Sequence, residues 1–134
     1  MVRLGIIGVG NITQGFHFSL LENCTGASLV AICDIDADKL AMVGNAKNID
    51  EKHRFIDYKD LIACPDVDAV LVATPHHLHK EMAIAVCKAK KHLLLEKPVA
   101  MDAQEGEEIY SAVQESGVKC MICLTYHYYA CFRY

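Results

Sequence analysis

Two glycines and one aspartate are spaced as in a site for a phosphate-bearing nucleotide. The segment Gly8-Val9-Gly10-Asn11-Ile12-Thr13 follows an apolar run and begins a stretch with helical spacing. In such a turn the first glycine permits a tight bend, and the second lets the backbone approach a pyrophosphate at the helix N-terminus. Asp34 follows about 20 residues later, where a carboxylate can accept hydrogen bonds from a ribose. The pattern predicts a dinucleotide-binding turn.

The residues around Asp34 favour NAD over NADP as the dinucleotide. The charge of Asp34 would repel a 2′-phosphate, and no arginine occurs in Ile35-Asp36-Ala37-Asp38. Thr13 departs from the pattern, because this position normally holds a small residue for close helix–strand packing. The alternative interpretation is an ordinary glycine turn followed by a surface aspartate.

A histidine-rich segment, Thr74-Pro75-His76-His77-Leu78-His79, follows the apolar run 69–73. Parallel sheets bind ligands outside the carboxyl ends of their strands, so this segment is expected to share a crevice with the glycine turn. Zinc bound by His76 and His79 at i, i+3 is an alternative, but no carboxylate or thiolate stands at matching spacing. Another alternative is that these histidines only begin a helix and contact solvent. We predict no metal site.

Glu96-Lys97-Pro98 follows the apolar stretch 92–95. Proline excludes helix immediately before it and favours an extended turn, which would direct Lys97 into the same crevice. An ammonium group there can stabilise the alkoxide-like charge that develops on a substrate oxygen as hydride leaves. Lys97 is therefore the catalytic candidate. The alternative is a solvated surface pair, the usual fate of adjacent Glu and Lys.

Seven cysteines are scattered along the chain. An odd count without a disulfide pattern fits reduced thiols and a cytoplasmic location. Cys120 and Cys123 have the spacing of a redox or zinc pair, but residues i and i+3 of a strand point to opposite faces. We expect both to be buried thiols.

Strand and helix patterns alternate from end to end, which predicts a single-domain α/β fold with a doubly wound parallel sheet. The helical spacing of Ile12, Phe16 and Leu20 predicts the first helix, while Asp57 and Asp102 are expected N-caps. Strands are predicted at 2–7, 28–33, 54–56, 69–73, 92–95 and 119–124, with the longer helices at 12–24, 36–44, 78–89 and 102–117.

Composition excludes several classes of partner. The chain has 134 residues, 53% hydrophobic and 22% charged, which is ordinary for one globular domain. A net charge of −4 disfavours nucleic acid and anionic membrane surfaces as partners. The longest purely apolar runs, such as 69–73 and 82–87, are too short to span a bilayer.

Taken in order, these segments resemble the glucose–fructose oxidoreductase / inositol dehydrogenase / MocA (Gfo/Idh/MocA) family of NAD(P)-dependent enzymes. The most specific part of this resemblance is the Glu-Lys-Pro turn that follows a Thr-Pro turn. The other matching segments are Gly5-Ile6-Ile7-Gly8-Val9-Gly10-Asn11-Ile12, Ala31-Ile32-Cys33-Asp34, Asp68-Ala69-Val70-Leu71-Val72-Ala73 and Leu78-His79. The resemblance implies the NAD(P)-binding N-terminal Rossmann domain of that family.

The resemblance also implies roles for individual residues. Lys97 and His127 are expected at the substrate, although His127 could instead be a surface residue of the chain's last segment. Lys90 departs from the family, which usually has glycine there, so that helix end is expected to differ in shape. The expected cofactor contacts are Gly8, Gly10, Asn11, Ile12, Asp34, Thr74, Pro75, His76, His79, Glu96 and Lys97.

Family members carry a second α/β domain that forms the substrate pocket. We therefore interpret residues 1–124 as the cofactor domain and residues 125–134, an aromatic-rich tail, as the start of the second domain. The expected function is the cofactor half of an oxidoreductase acting on CH–OH groups of sugar- or cyclitol-like substrates, inactive alone. The alternative is a non-catalytic module that binds or senses a dinucleotide. Five aromatics in the tail predict self-association.

Overall fold

The computed structural model describes residues 1–124 and 126. Residue 125 and residues 127–134, including His127 and most of the aromatic tail, lie outside the described residues. In the described part, six strands form one sheet: β1 (Val2–Ile7), β2 (Ala27–Cys33), β3 (Arg54–Phe55), β4 (Ala69–Val72), β5 (His92–Leu95) and β6 (Cys120–Ile122). All pairings are parallel and the order is β3-β2-β1-β4-β5-β6. The predicted doubly wound α/β sheet is confirmed.

Helices cover both faces of this sheet. They are α1 (Phe18–Glu22), α2 (Ala37–Ala46), α3 (Tyr58–Ala63), α4 (His79–Lys88) and α5 (Ala103–Ser116), with a π-helical turn at Thr13–His17. One face of the sheet packs against α3, α4 and α5, around a core that includes Leu61, Val86 and Ile109. The other face packs against α1 and α2, around a core that includes Phe18 and Leu40.

The helix ends follow the local chemistry of the sequence. Asp57 accepts a hydrogen bond from the Lys59 N–H, and Asp102 accepts one of 2.9 Å from the Glu105 N–H, so both predicted N-caps are confirmed. Gly117 ends α5 at φ 70°, a left-handed conformation that glycine adopts readily.

The helical spacing of Ile12, Phe16 and Leu20 does not mark the buried face of the first helix. Ile12 is 43% and Leu20 52% exposed, whereas Thr13, His17 and Phe18 are buried. The reason is the π-helical turn, in which the Phe18 N–H bonds to the Thr13 carbonyl five residues back. A spacing of four, which assumes an α-helix, therefore selects the wrong face.

Two further departures from expectation concern the last turn of α4 and the cysteines. Lys90 has φ 59°, so the left-handed helix end is kept without glycine, contrary to the expected change of shape. Its Nζ donates a 3.0 Å hydrogen bond to the Ser116 carbonyl. Cys120 and Cys123 pack on opposite faces of the sheet, as predicted, but both are only partly buried, contrary to the expectation of buried thiols. Among the described residues, no helix has the length and apolar character needed to cross a bilayer.

Candidate functional site: a cleft at the carboxyl edge of the sheet

A cleft of about 590 Å³ opens where the strand order reverses, between β1 and β4. At this point the connections that follow the two neighbouring strands run to opposite faces of the sheet, which leaves a gap above the carboxyl ends of the strands. Apolar side chains and the glycine turn both contribute to the walls of the cleft. Its lining includes Gly8, Gly10, Asp34, Lys39, Thr74 and Pro75.

The two glycines of the turn have different structural requirements. Gly8 has φ 93°, and a Cβ atom there would lie 2.5 Å from the Ala73 carbonyl oxygen. Only glycine fits this close crossing between β1 and the end of β4. A Cβ atom at Gly10 would meet no atom within 4 Å. Gly10 therefore leaves open space beside the helix start, where a phosphate can approach the backbone.

Thr13 explains how the turn tolerates a residue larger than glycine. Its side chain is fully buried, and its hydroxyl donates a 2.6 Å hydrogen bond to the Gly8 carbonyl. The polar atom is thus satisfied inside the helix–strand contact, so burial carries no unpaired group. Thr13 ties the helix to the glycine turn.

Asp34 lies at the end of β2 with a side chain 10% exposed. One oxygen, Oδ2, accepts from the Val9 N–H at 2.9 Å. The other, Oδ1, accepts from the Asp36 N–H at 3.0 Å and from Lys39 Nζ at 3.3 Å. Because a carboxylate has about four lone-pair positions, it keeps capacity for a ribose hydroxyl.

Lys39 is a cleft residue that the sequence reasoning missed. The sequence prediction considered only arginine at residues 35–38, whereas the first turn of α2 brings Lys39 back over the Asp34 carboxylate. Desolvation acts against its charged form, but the Asp34 and Asp36 carboxylates outweigh this and raise the pKa of Lys39. A helical i, i+3 spacing from the Asp36 N-cap is the signal that could have identified it.

Part of the cleft lining is apolar and can accept a flat ring, and this part is called the apolar end below. It is formed by Ile56, Leu78 and Met82, together with Tyr58. Tyr58 Oη donates a 2.6 Å hydrogen bond to Glu81, and burial together with that carboxylate raises the pKa of Tyr58 to about 12. This end provides a surface for an adenine base.

His79 connects two turns at the edge of the sheet. It is fully buried, with Nδ1 2.8 Å from the Pro98 carbonyl oxygen and Nε2 3.0 Å from the Thr74 carbonyl oxygen. Both ring nitrogens therefore already contact carbonyl oxygens, and a zinc ion could bind His79 only by breaking one of these two contacts. His76 is exposed and contacts the His79 ring edge-on, at 5.6 Å between centroids.

Glu96 and Lys97 have opposite environments. Glu96 is 6% exposed, and its Oε2 accepts a 3.0 Å hydrogen bond from the Lys97 N–H. The Lys97 side chain is exposed, and its Nζ makes no hydrogen bond or ion pair with any residue of the described chain. The Lys97–Pro98 peptide bond is cis. The turn thus presents an unpaired ammonium beside a buried carboxylate.

His17 is the partner of Glu96 and was also missed by sequence reasoning. Its Nε2 lies 2.7 Å from Glu96 Oε1, with both side chains 8% exposed. The two residues are far apart in sequence, and no pattern links them. Cys123 lies close by, so that the three side chains could in principle hold a metal ion. Burial and then Glu96 raise the pKa of Cys123 to about 11, however, which opposes the thiolate form that binds metal.

Comparisons with known proteins agree with this geometry. Residues 2–124 match the family described as "Oxidoreductase family, NAD-binding Rossmann fold" (GFO_IDH_MocA). The chain is 33% identical over 118 residues to 1,5-anhydro-D-fructose reductase from Ensifer adhaerens, covering 88% of this chain and 34% of that protein. It is 32% identical over 116 residues to inositol 2-dehydrogenase from Salmonella typhimurium, covering 87% and 34%.

Solved structures show the same fold. The WlbA dehydrogenase from Bordetella pertussis, in complex with NADH and UDP-GlcNAcA, superposes with a TM-score of 0.91 at 29% identity, over 98% of this chain and 39% of that one. A 3-ketoreductase from Actinomadura kijaniata, in complex with TDP-benzene and NADP, gives 0.91 at 26% identity, over 98% and 41%. The chain spans about a third of the length of the curated relatives it matches. By its family match over residues 2–124, the chain belongs to the Gfo/Idh/MocA oxidoreductases and contains their NAD-binding Rossmann domain.

Proposed function

We propose that this chain is the cofactor-binding half of an oxidoreductase that acts on CH–OH groups of sugar- or cyclitol-like substrates. The observation that carries the proposal is the ammonium of Lys97, which has no partner among the described residues and is held, at the same sheet edge as the dinucleotide cleft, by a turn anchored on the buried Glu96. A module that only binds the dinucleotide has no use for such a group. The curated relatives, an anhydrofructose reductase and an inositol dehydrogenase, support this substrate class.

Each part of the cleft has a task in this proposal. The open backbone at Gly10, with Asn11 and Ile12 at the helix start, receives the pyrophosphate. Asp34 accepts from the adenosine ribose, and the apolar end holds the base. Thr74 and Pro75 flank the cofactor. A nicotinamide bound here would supply the hydride donor or acceptor, and Lys97 would hydrogen-bond the substrate oxygen and stabilise the charge that develops on it.

NAD is the preferred cofactor in this proposal. The relatives include an NADH complex and an NADP complex, so the preference rests on residues of this chain. The Asp34 carboxylate points into the cleft and repels a 2′-phosphate. Lys39 offsets part of that repulsion, but its ammonium is already paired with Asp34 and Asp36. We expect selectivity for NAD to be moderate.

Little turnover is expected from residues 1–134 alone. General base catalysis contributes about 10²- to 10⁴-fold, and Glu96, the carboxylate next to Lys97, is committed to His17 and the Lys97 N–H. Lys97 is also exposed to water, where electrostatic stabilisation is weak.

We further propose a cytoplasmic location, supported by free thiols at Cys24, Cys33, Cys64, Cys87, Cys120 and Cys123.

Titration of the chain with NADH, followed by calorimetry, tests the proposal. We expect binding that Gly10→Ala weakens, whereas Lys88→Ala, on the exposed side of α4, serves as the control and has no effect. Absence of NADH binding would overturn the proposal. Oxidation of inositol or glucose with NAD⁺ should be negligible, and robust turnover abolished by Lys97→Ala would show that this half supplies its own base.

A further inference from the structure

We propose that His17 is a positioning residue that fixes Lys97 beside the nicotinamide by holding Glu96. The inference rests on the proposed function and adds a residue to its machinery. His17 is not among the residues that line the cleft. It acts through two hydrogen bonds in series, from the His17 ring to Glu96 and from Glu96 to the Lys97 backbone.

The first hydrogen bond is short and shielded from water. His17 Nε2 donates to Glu96 Oε1 at 2.7 Å, and each side chain is 8% exposed. A carboxylate buried to this extent needs a partner, because losing one leaves an unpaired charge in a region of low dielectric. The contact therefore holds the Glu96 side chain in one orientation.

The second hydrogen bond carries that orientation to Lys97. Glu96 Oε2 accepts from the Lys97 N–H at 3.0 Å, so the two carboxylate oxygens are assigned to different partners. Rotation of the carboxylate would break both contacts at once. The start of the Lys97 side chain is thus tied to the position of the His17 ring.

The position of His17 gives this arrangement a functional meaning. His17 ends the π-helical turn that follows the glycines, and π-helical turns occur frequently at functional sites. The same helical segment begins at the pyrophosphate end of the cleft, where Thr13 is bonded to Gly8. One short segment thereby sets the phosphate position and, through Glu96, the Lys97 position.

The charge of the nicotinamide provides a readout that a merely structural residue would not affect. The oxidised ring carries a positive charge and the reduced ring does not. An ammonium held nearby therefore disfavours NAD⁺ relative to NADH. The ratio Kd(NAD⁺)/Kd(NADH) measures how closely Lys97 is held, while ADP-ribose, which lacks the ring, reports the rest of the cleft.

The experiment measures these three dissociation constants by calorimetry for the unmodified chain and four variants. Lys97→Ala removes the charge and should lower the ratio about threefold. His17→Asn, whose amide is too short to reach Glu96, should lower it similarly. His17→Gln places its amide nitrogen near the position of the His17 Nε2 and should restore the ratio. His53→Asn removes a second His–carboxylate contact, 3.1 Å from Asp66 and lining no part of the cleft, and should change nothing.

The outcomes separate the inference from the proposed function. ADP-ribose affinity should stay within about twofold in every variant, which shows that the fold and the phosphate site are intact. A ratio unchanged in His17→Asn but lowered in Lys97→Ala would overturn the inference, and so would a ratio insensitive to Lys97→Ala. Failure of all three ligands to bind the unmodified chain would instead overturn the proposed function. The amide ¹⁵N–¹H resonance of Lys97 should move in His17→Asn and return in His17→Gln.

Discussion

The Val9 N–H donates a 2.9 Å hydrogen bond to Oδ2 of Asp34, which joins the glycine turn after β1 to the end of β2. The carboxylate that is placed to recognise a ribose also holds the turn that is placed to receive the pyrophosphate. Removing its charge and removing its hydrogen bonds are therefore different experiments. Substitutions at this position need to be chosen to separate the two effects.

Cofactor preference is the first prediction. Asp34→Asn keeps an acceptor for the Val9 N–H but removes the charge, so NADP(H) should bind more tightly and the preference for NAD(H) should narrow. Asp34→Ser loses the reach to Val9 and should weaken both cofactors as well as narrow the ratio. Calorimetric titration of NADH and NADPH checks this. Equal affinities in the unmodified chain would contradict the assignment.

Alanine should affect stability at one glycine of the turn and cofactor affinity at the other. Gly8→Ala forces φ 93° on a residue with Cβ and places that atom 2.5 Å from the Ala73 carbonyl, so it should destabilise the fold by more than about 1 kcal/mol. Gly10→Ala meets open space, so the urea midpoint should stay near that of the unmodified chain. Its NADH affinity should nevertheless fall about tenfold, because the methyl group occupies the pyrophosphate approach. Equal stability losses in both would contradict this account.

Strand positions were predictable because each strand carries its own local signal. The segment His92–Leu95 was predicted with the bounds that the structure shows, and the N-caps at Asp57 and Asp102 follow from local hydrogen-bonding chemistry. Strands in a doubly wound sheet have their apolar runs buried on both faces, so length and spacing sufficed. The position of the cleft could be predicted as well, because the carboxyl ends of parallel strands meet at one edge of the sheet.

The contacts between distant segments were not predictable. His17 and Glu96 meet only because a π-helical turn rotates His17 inward, and the periodicity of Ile12, Phe16 and Leu20 gave no indication of that turn. Lys39, by contrast, lies only five residues after Asp34, and helical spacing from the Asp36 N-cap could have identified it. A single sequence contains the residues of such pairs but not their distances.

Lys90 offers a gain in stability. It holds φ 59°, which costs a residue with Cβ about 1 kcal/mol relative to glycine. Lys90→Gly should therefore raise the free energy of unfolding by up to that amount, less the exposed hydrogen bond to the Ser116 carbonyl. Lys90→Ala loses the same hydrogen bond without relieving the backbone and is the matched control. Urea denaturation measures both, and a glycine variant no more stable than the alanine variant would contradict the prediction.

The Arg3–Asp68 pair predicts a dependence of stability on pH. Arg3 donates to Asp68 from its side chain and its backbone, and these hydrogen bonds hold the pKa of Asp68 below its ordinary value of 3.8. A lowered pKa stabilises the folded state above about pH 4, and that contribution is lost as the pH falls further. Asp68→Asn should lower the urea midpoint at pH 7, and the decrease should be smaller at pH 2.5.

The control for that experiment is Asp66→Asn, because Asp66 makes a longer contact of 3.3 Å with the same arginine. Its midpoint should change little at either pH. Both side chains of the Arg3–Asp68 pair are partly exposed, so 1 M NaCl should shrink the effect at pH 7. An Asp68→Asn effect that grows as the pH falls would reverse the sign and contradict the assignment.

The π-helical turn at Thr13–His17 also bears on how this chain should be aligned with its relatives. An α-helical turn closes over four residues, whereas the hydrogen bond from the Phe18 N–H to the Thr13 carbonyl spans five. The turn therefore accommodates one inserted residue without moving the helix on either side. Against a relative with an ordinary α-helix here, a correct alignment needs a single gap inside the helix, and an ungapped one would misplace His17 by one position. Deletion of the exposed Gly15 is the change of length that this helix can absorb by returning to an α-helical turn.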